Sequence, residues 1–201
     1  MDALRVTALR ERLAGTGWLE TVGGFAGSLR RSVERRGAGD LLLVGTEAYE
    51  PWHLAAHLED EAAWSAVPRL APTLLRHRPP AGAPAHLAYG LGRLAAAGRG
   101  ATVLVVAPST AGVPLLERVQ DARRQGATVL ALDGAAPGEP GDLGGLAHER
   151  LGVGTAAEEP FDLAQHLVSA AAGEPPARRS ALGRLAEVAG RLTAGPAISR
   201  W

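Results

Sequence analysis

Two apolar runs joined by one amphipathic helix constrain this chain more than any other feature. Ala101-Thr102-Val103-Leu104-Val105-Val106-Ala107 and Ala127-Thr128-Val129-Leu130-Ala131-Leu132 have strand length and composition. Between them Pro114 to Gln125 places Leu115, Val119 and Ala122 on one helical face, and Gly126 stops the pattern. Strands joined through a helix run parallel with a right-handed crossover, and continuous apolar runs belong to strands covered on both faces. The segment Thr102 to Leu132 therefore predicts a β-α-β unit in a layered sheet with helices on both sides.

Other segments extend the same pattern. Asp40-Leu41-Leu42-Leu43-Val44-Gly45 reads as another buried strand, followed by an Ala- and Leu-rich helix from near Pro51 to Trp64. Val67 to Leu75 is interrupted by Pro68 and Pro72, which an edge strand tolerates. Arg78 to Pro84 is a loop, and a helix is expected from about Ala85 to Ala97. Asp133 to Asp142 is rich in turn residues, Arg150 to Val153 is a short last strand, and Phe161 to Ala172 is a helix. Two helices precede the first strand. One lies in residues 2–14; the other runs from about Trp18 to Arg35 with Leu19, Val22, Ala26, Leu29 and Val33 at helical spacing. A terminal helix is expected over Ala177 to Leu192. The fold class is thus α/β, a three-layer α-β-α sandwich on a mostly parallel sheet with extra N- and C-terminal helices. Its expected division is 1–38 (helices packing on the core), 39–173 (the α/β domain) and 174–201 (helix and tail).

Composition narrows the function classes. Hydrophobic residues make up 46% of the 201 and aromatics only 4%, so Leu, Val and Ala must form the core. The formal net charge of +0 removes any overall attraction to nucleic acid or an anionic membrane, and neither partner is expected. Arg30, Arg31, Arg35 and Arg36 crowd the end of a helix, where cations complement the dipole, and read as a solvated terminus. All 21 basic residues are Arg and neither Lys nor Asn occurs, as in chains encoded by G+C-rich bacterial genomes. Without Cys there is no disulfide, thiol nucleophile or zinc-thiolate site. No stretch approaches the roughly 20 apolar residues of a membrane helix, and the expected location is cytoplasmic.

Ligands of open parallel sheets bind outside the carboxyl ends of the strands. This selects two loops, Gly45-Thr46-Glu47-Ala48-Tyr49 and Pro108-Ser109-Thr110-Ala111-Gly112-Val113. In the second, the Ser109 and Thr110 hydroxyls and the free N–H groups of a helix start can receive a phosphate or carboxylate, and Gly112 permits close approach. The competing reading is that Ser109 or Thr110 merely caps the helix, with Pro114 fixing its first turn. His53 and His57 have the i, i+4 spacing of a helical zinc site, with Glu61 one turn on. Leu54 replaces the catalytic glutamate of that motif and no third ligand is fixed, so no metal and no cofactor are assigned. Trp18, Trp52, Trp64 and Trp201 line no single face and read as packing or interface residues.

The run VLVVAPSTAGVPLLERVQDARRQGATVLAL, Val103 to Leu132, resembles the second half of a sugar isomerase (SIS) domain. There a strand, a hydroxyl-rich Ser-x-Ser-Gly-x-Thr loop, a helix ending in Ala-x-x-x-Gly-Ala and another strand follow in order. Ala122 to Ala127 fits that helix end, and Asp40 to Ala63 resembles the first half, with its strand and Gly-x-Gly-x-Ser loop. The resemblance, over roughly residues 18–172, is to a divergent bacterial member. It implies flavodoxin-type winding of the sheet, binding of a phosphorylated sugar, and dimers or tetramers. Carried over by position, it makes Gly45, Thr46, Ser109, Thr110 and Gly112 the ligand-binding residues. Ala111 and Pro114 stand where the family has hydroxyls, and Glu47 where it has a second glycine. Sugar isomerisation needs a base, commonly Glu or His; Glu47, Glu50 and His53 sit near the right loop without a motif position that identifies one of them, and Glu47 is taken as the candidate base of an isomerase. A small-molecule sensor or interaction module without catalysis is the leading reading, with a phosphoheptose isomerase-like enzyme and a structural oligomerisation domain as alternatives.

Overall fold

The computed structural model describes residues 17–84, 88–139, 141–154 and 161–174. The helices expected over 2–14 and 177–192 lie outside these residues. In chain order the elements are α1 (Trp18–Glu34), β1 (Leu41–Val44), α2 (Trp52–Trp64), β2 (Pro72–Leu75), β3 (Thr102–Ala107), α3 (Val113–Arg124), β4 (Thr128–Asp133), β5 (Glu149–Gly152) and α4 (Phe161–Gly173). Short 3-10 turns occupy Pro68–Leu70 and Leu91–Ala96.

The strands form one five-stranded sheet in the order β2-β1-β3-β4-β5, every neighbouring pair parallel. This is the flavodoxin-type order, and the expected mostly parallel sheet is wholly parallel among the described residues. Alternation along each strand divides two cores. Leu41, Leu43, Leu104, Val106, Leu130 and Leu132 face α1, α2 and α4, whose Phe25, Leu29, Leu54, Leu58, Leu167 and Val168 cover them. Leu42, Val44, Val103, Val105, Val129 and Ala131 face α3 and the 3-10 turn at Leu94. Both faces are covered, which is why the strands read as unbroken apolar runs.

Local chemistry explains the ends. Gly126 adopts φ 96°, its N–H donates to the Arg123 carbonyl, and Ala127 N–H donates to the Ala122 carbonyl, so α3 closes in a Schellman arrangement that a Cβ at Gly126 would strain. Pro72 opens β2 at the sheet edge, where its missing N–H costs no ladder bond. Two expectations need correction. Of the stretch expected as a helix over 85–97, residues 85–87 lie outside the described set and the described remainder contains only the 3-10 turn Leu91–Ala96; its Gly90 and Gly92 disfavour α-helix. The arginine cluster of α1 is also not wholly solvated. Arg30 Nη1 donates to the carbonyls of Ala172 (3.2 Å), Gly173 (3.0 Å) and Glu174 (2.9 Å) and caps the end of α4.

Candidate functional site

At the carboxyl end of β3 the chain passes through Pro108 to Gly112 before α3 begins. Gly112 is the N-cap in an extended conformation, and no side chain among the described residues caps the helix. Ser109 and Thr110 are exposed and leave the helix end alone, so the capping alternative does not hold. A cavity of about 230 Å³ opens beside them. It is bounded by Ala107 to Ala111, by Asp133 to Ala135 after β4, and by Gly141 to Leu143. Ala111 N–H points across it and donates to Asp142 Oδ2 at 3.1 Å.

The wall between β3 and β4 is rigidly specified. Gly134 N–H donates to the Ala107 carbonyl at 2.9 Å, and a Cβ on Gly134 would overlap the Pro108 carbonyl oxygen. Asp133 is buried and held by two bonds from Arg150, Nε to Oδ2 at 2.6 Å and Nη2 to Oδ1 at 2.7 Å, while Ala135 N–H donates to Oδ1 at 3.0 Å. Arg150 also donates to the Glu139 carbonyl. The bond to Asp133 raises the Arg150 pKa above its ordinary value, against the opposing effect of burial. Reading the sequence for strand-to-helix turns overlooked Asp133, Asp142 and Arg150. The signal was present, because Asp133-Gly134 stands at the carboxyl end of a parallel strand as Ser109 and Gly45 do.

The loop after β1 is closed on itself. A Cβ on Gly45 would overlap the Tyr49 carbonyl oxygen and stand 2.7 Å from Pro51 Cδ, so the glycine serves this fold-back. Tyr49 N–H donates to the Thr46 carbonyl, and the buried Thr46 hydroxyl has no hydrogen-bond partner among the described residues. The Tyr49 hydroxyl donates to Asp162 Oδ1 at 3.0 Å and accepts from Gln165 Nε2 at 2.7 Å, which ties the loop to α4; burial raises the Tyr49 pKa. Glu50 pairs with Arg76 at 2.9 Å and accepts from Trp52 Nε1 at 2.8 Å. Glu47 is exposed and pairs with Arg78. Of the sequence candidates, Ser109 and Thr110 line the cavity and Gly112 follows directly; Gly45, Thr46 and Glu47 do not line it.

His57 of α2 meets His166 of α4. The His57 and His166 rings lie 4.1 Å apart between centroids, and no cluster of three or more metal-binding side chains occurs among the described residues. Burial, aided by His57 and His53, pushes the His166 pKa down to about 4, and burial lowers that of His57. Trp52 lies under the Arg76 guanidinium at 5.1 Å, and Trp64 is exposed. No described helix is long and apolar enough to cross a membrane.

The sequence matches no family model and no curated protein. Solved structures do match. A protein of Silicibacter pomeroyi DSS-3 described as a candidate phosphosugar isomerase superposes with TM-score 0.52 at 20% identity, over 88% of this chain and 50% of the other. A candidate sugar binding protein of Salmonella typhimurium LT2 gives TM-score 0.49 at 17% identity, over 87% of this chain and 53% of the other. The sugar isomerase domain of an RpiR transcription factor from Sphaerobacter thermophilus gives TM-score 0.49 at 16% identity, over 93% and 97%. The chain spans about half the length of the first two. At these identities the likeness is one of fold. With the sheet order, the likeness to the first of these structures shows a SIS-like fold, an α/β three-layer sandwich.

Proposed function

We propose that this SIS-like fold serves as a binding module for a sugar-type small molecule, held at the carboxyl ends of β3 and β4 and not turned over there. The carrying observation is that Ser109 and Thr110 present hydroxyls, unused by the helix behind them, on the rim of a cavity that also contains Asp133 and Asp142. A ring bearing many hydroxyls needs both donors and acceptors, and hydroxyls with carboxylates supply both. The likeness in fold to a candidate phosphosugar isomerase favours a ligand built on a sugar.

Sugar isomerisation needs a base within hydrogen-bond reach of the carbon-bound proton. Among the described lining residues only Asp133 and Asp142 are carboxylates; Asp133 is committed to Arg150 and Asp142 accepts from Ala111. Glu47, the base of the isomerase alternative, lies outside the cavity. Calorimetric titration with a panel of sugars and sugar phosphates tests the reading. A Ser109→Ala/Thr110→Val double variant is expected to lose about tenfold or more in affinity, roughly 1.4 kcal/mol or above, with an unchanged unfolding temperature. Equal binding by the double variant overturns the site, and turnover of any sugar phosphate overturns the non-catalytic part. The reading includes a homo-oligomer, which a monomer at micromolar concentration in sedimentation would disprove.

A further inference from the structure

We propose that Asp142 makes this cavity selective for uncharged or amine-bearing sugar-type ligands over phosphorylated ones. The inference rests on the reading of the cavity as a sugar-type site. Among the described residues, the charged ones lining it are Asp133 and Asp142, and none of the lining residues is basic. The two carboxylates are not equivalent. Asp133 is neutralised by the two-point bond from Arg150, whose guanidinium is spent on Asp133 and the Glu139 carbonyl. Asp142 has no ion-pair partner among the described residues, and its only described bond is the one that Oδ2 accepts from Ala111 N–H.

That bond decides the selectivity. The Ala111 N–H is a loop donor directed at the cavity, and an internal carboxylate already fills the position where an incoming anion would gain it. Asp142, Ser109 and Thr110 are all exposed at the rim, so a phosphate entering beside the two hydroxyls would set two anions against each other at close range, with a repulsion that solvent weakens and salt screens. A hydroxyl or ammonium group meets the opposite situation, because the second oxygen of Asp142 is an acceptor with lone pairs to offer. The side chain that displaces a phosphate therefore attracts an amine. The same carboxylate also explains how the loop keeps its shape without the further hydroxyls that Ala111 and Pro114 replace.

Amide spectra of wild type and Asp142→Asn, followed at Ser109 to Ala111 during titration with glucose, glucosamine, glucose 6-phosphate and inorganic phosphate, test this. The asparagine keeps an acceptor for Ala111 N–H, and an unchanged unfolding temperature confirms an intact fold. Wild type is expected to bind glucosamine and glucose more tightly than glucose 6-phosphate. Asp142→Asn is expected to bind glucose 6-phosphate and inorganic phosphate about tenfold more tightly than wild type does, and glucosamine more weakly. Glucose 6-phosphate bound by wild type as tightly as glucose, or a preference untouched by the substitution, overturns the proposal. Failure of every sugar to shift the amides of either protein instead overturns the sugar-type reading. In that event inorganic phosphate alone decides on Asp142: a stronger response in the variant supports its role, and equal responses refute it.

Discussion

The chain turns from strand to helix after β1 and again after β3, in the same sheet and on the same edge, and the two turns reach opposite states. The turn after β1 engages most of its polar side chains, Tyr49 on Asp162 and Gln165, Glu50 on Arg76 and Trp52, Glu47 on Arg78, with the buried Thr46 hydroxyl the exception among the described residues. The turn after β3 leaves Ser109 and Thr110 exposed beside a cavity and spends only the Ala111 N–H on Asp142. In the order β2-β1-β3-β4-β5 the winding reverses between β1 and β3, where sheets of this kind bind ligands. Here the cavity lies one strand further along, between the ends of β3 and β4. Openness depends on what a loop packs against as well as on its own residues. The first loop has an aromatic that reaches α4; the second has only small side chains.

The largest expected effect lies in the wall of the open site. Arg150→Met removes the partner of a buried Asp133 carboxylate and is expected to cost about 3 kcal/mol in urea unfolding, because the charge left behind has lost its compensation. A cost below about 1 kcal/mol would mean that this wall does not depend on the ion pair. In the closed loop the sharpest probe is steric. Gly45→Ala pushes a methyl into the Tyr49 carbonyl and Pro51, with an expected cost of about 2 kcal/mol or more; Gly112→Ala, whose Cβ would meet nothing nearer than Pro114 Cδ at 3.8 Å, is expected to change stability by less than about 0.5 kcal/mol. Equal costs for the two glycines would erase the distinction between the loops.

The same contrast marks what was legible in the sequence. The parallel sheet, its two covered faces and the helix Val113–Arg124 followed from apolar runs and from Leu115, Val119, Ala122 and Gly126, since burial and a left-handed stop are properties of local pattern. Ser109 and Thr110 could be placed at a strand's carboxyl end for the same reason. Other features depended on partners distant in sequence. The closure of Gly45 requires Tyr49 to meet Asp162 and Gln165 across 113 and 116 residues, and the wall requires Arg150 to return to Asp133 across 17. Spacing carries no trace of such pairs. The missing helix before β3 is a different case, in which local glycines outweighed an apolar composition.

Acid should act on the closed side before the open one. His166 lies between α2 and α4 against His57, with its pKa down to about 4 from an ordinary 6.5, chiefly by burial; His53 adds to the lowering and Asp162 opposes it. The unfolded chain therefore binds a proton that the folded chain refuses. Stability is expected to be level above about pH 7, to fall as pH drops from 6.5 toward 4, and to lose no more on this account below that. His166→Gln should flatten the slope of unfolding temperature against pH in that window. Because α4 also supplies the Asp162 and Gln165 that hold Tyr49, amide exchange should accelerate first around residues 45–50 and only later around 109–111. Acceleration in the reverse order would place the weaker element at the cavity.

The smallest expected effect is the most direct comparison of the two loops as ligand sites. Glu47 and Arg78 form an exposed pair, and such pairs contribute between nothing and about 1 kcal/mol. Glu47→Gln should thus leave the unfolding temperature almost unchanged. If the ligand sits only between the ends of β3 and β4, Glu47→Gln should also leave binding unchanged, while the Ser109→Ala/Thr110→Val variant loses it. Weakened binding in Glu47→Gln without a loss of stability would mean that the ligand spans both turns. The sheet's switch point would then be part of the site, and the self-contained network after β1 would be a state that the ligand opens.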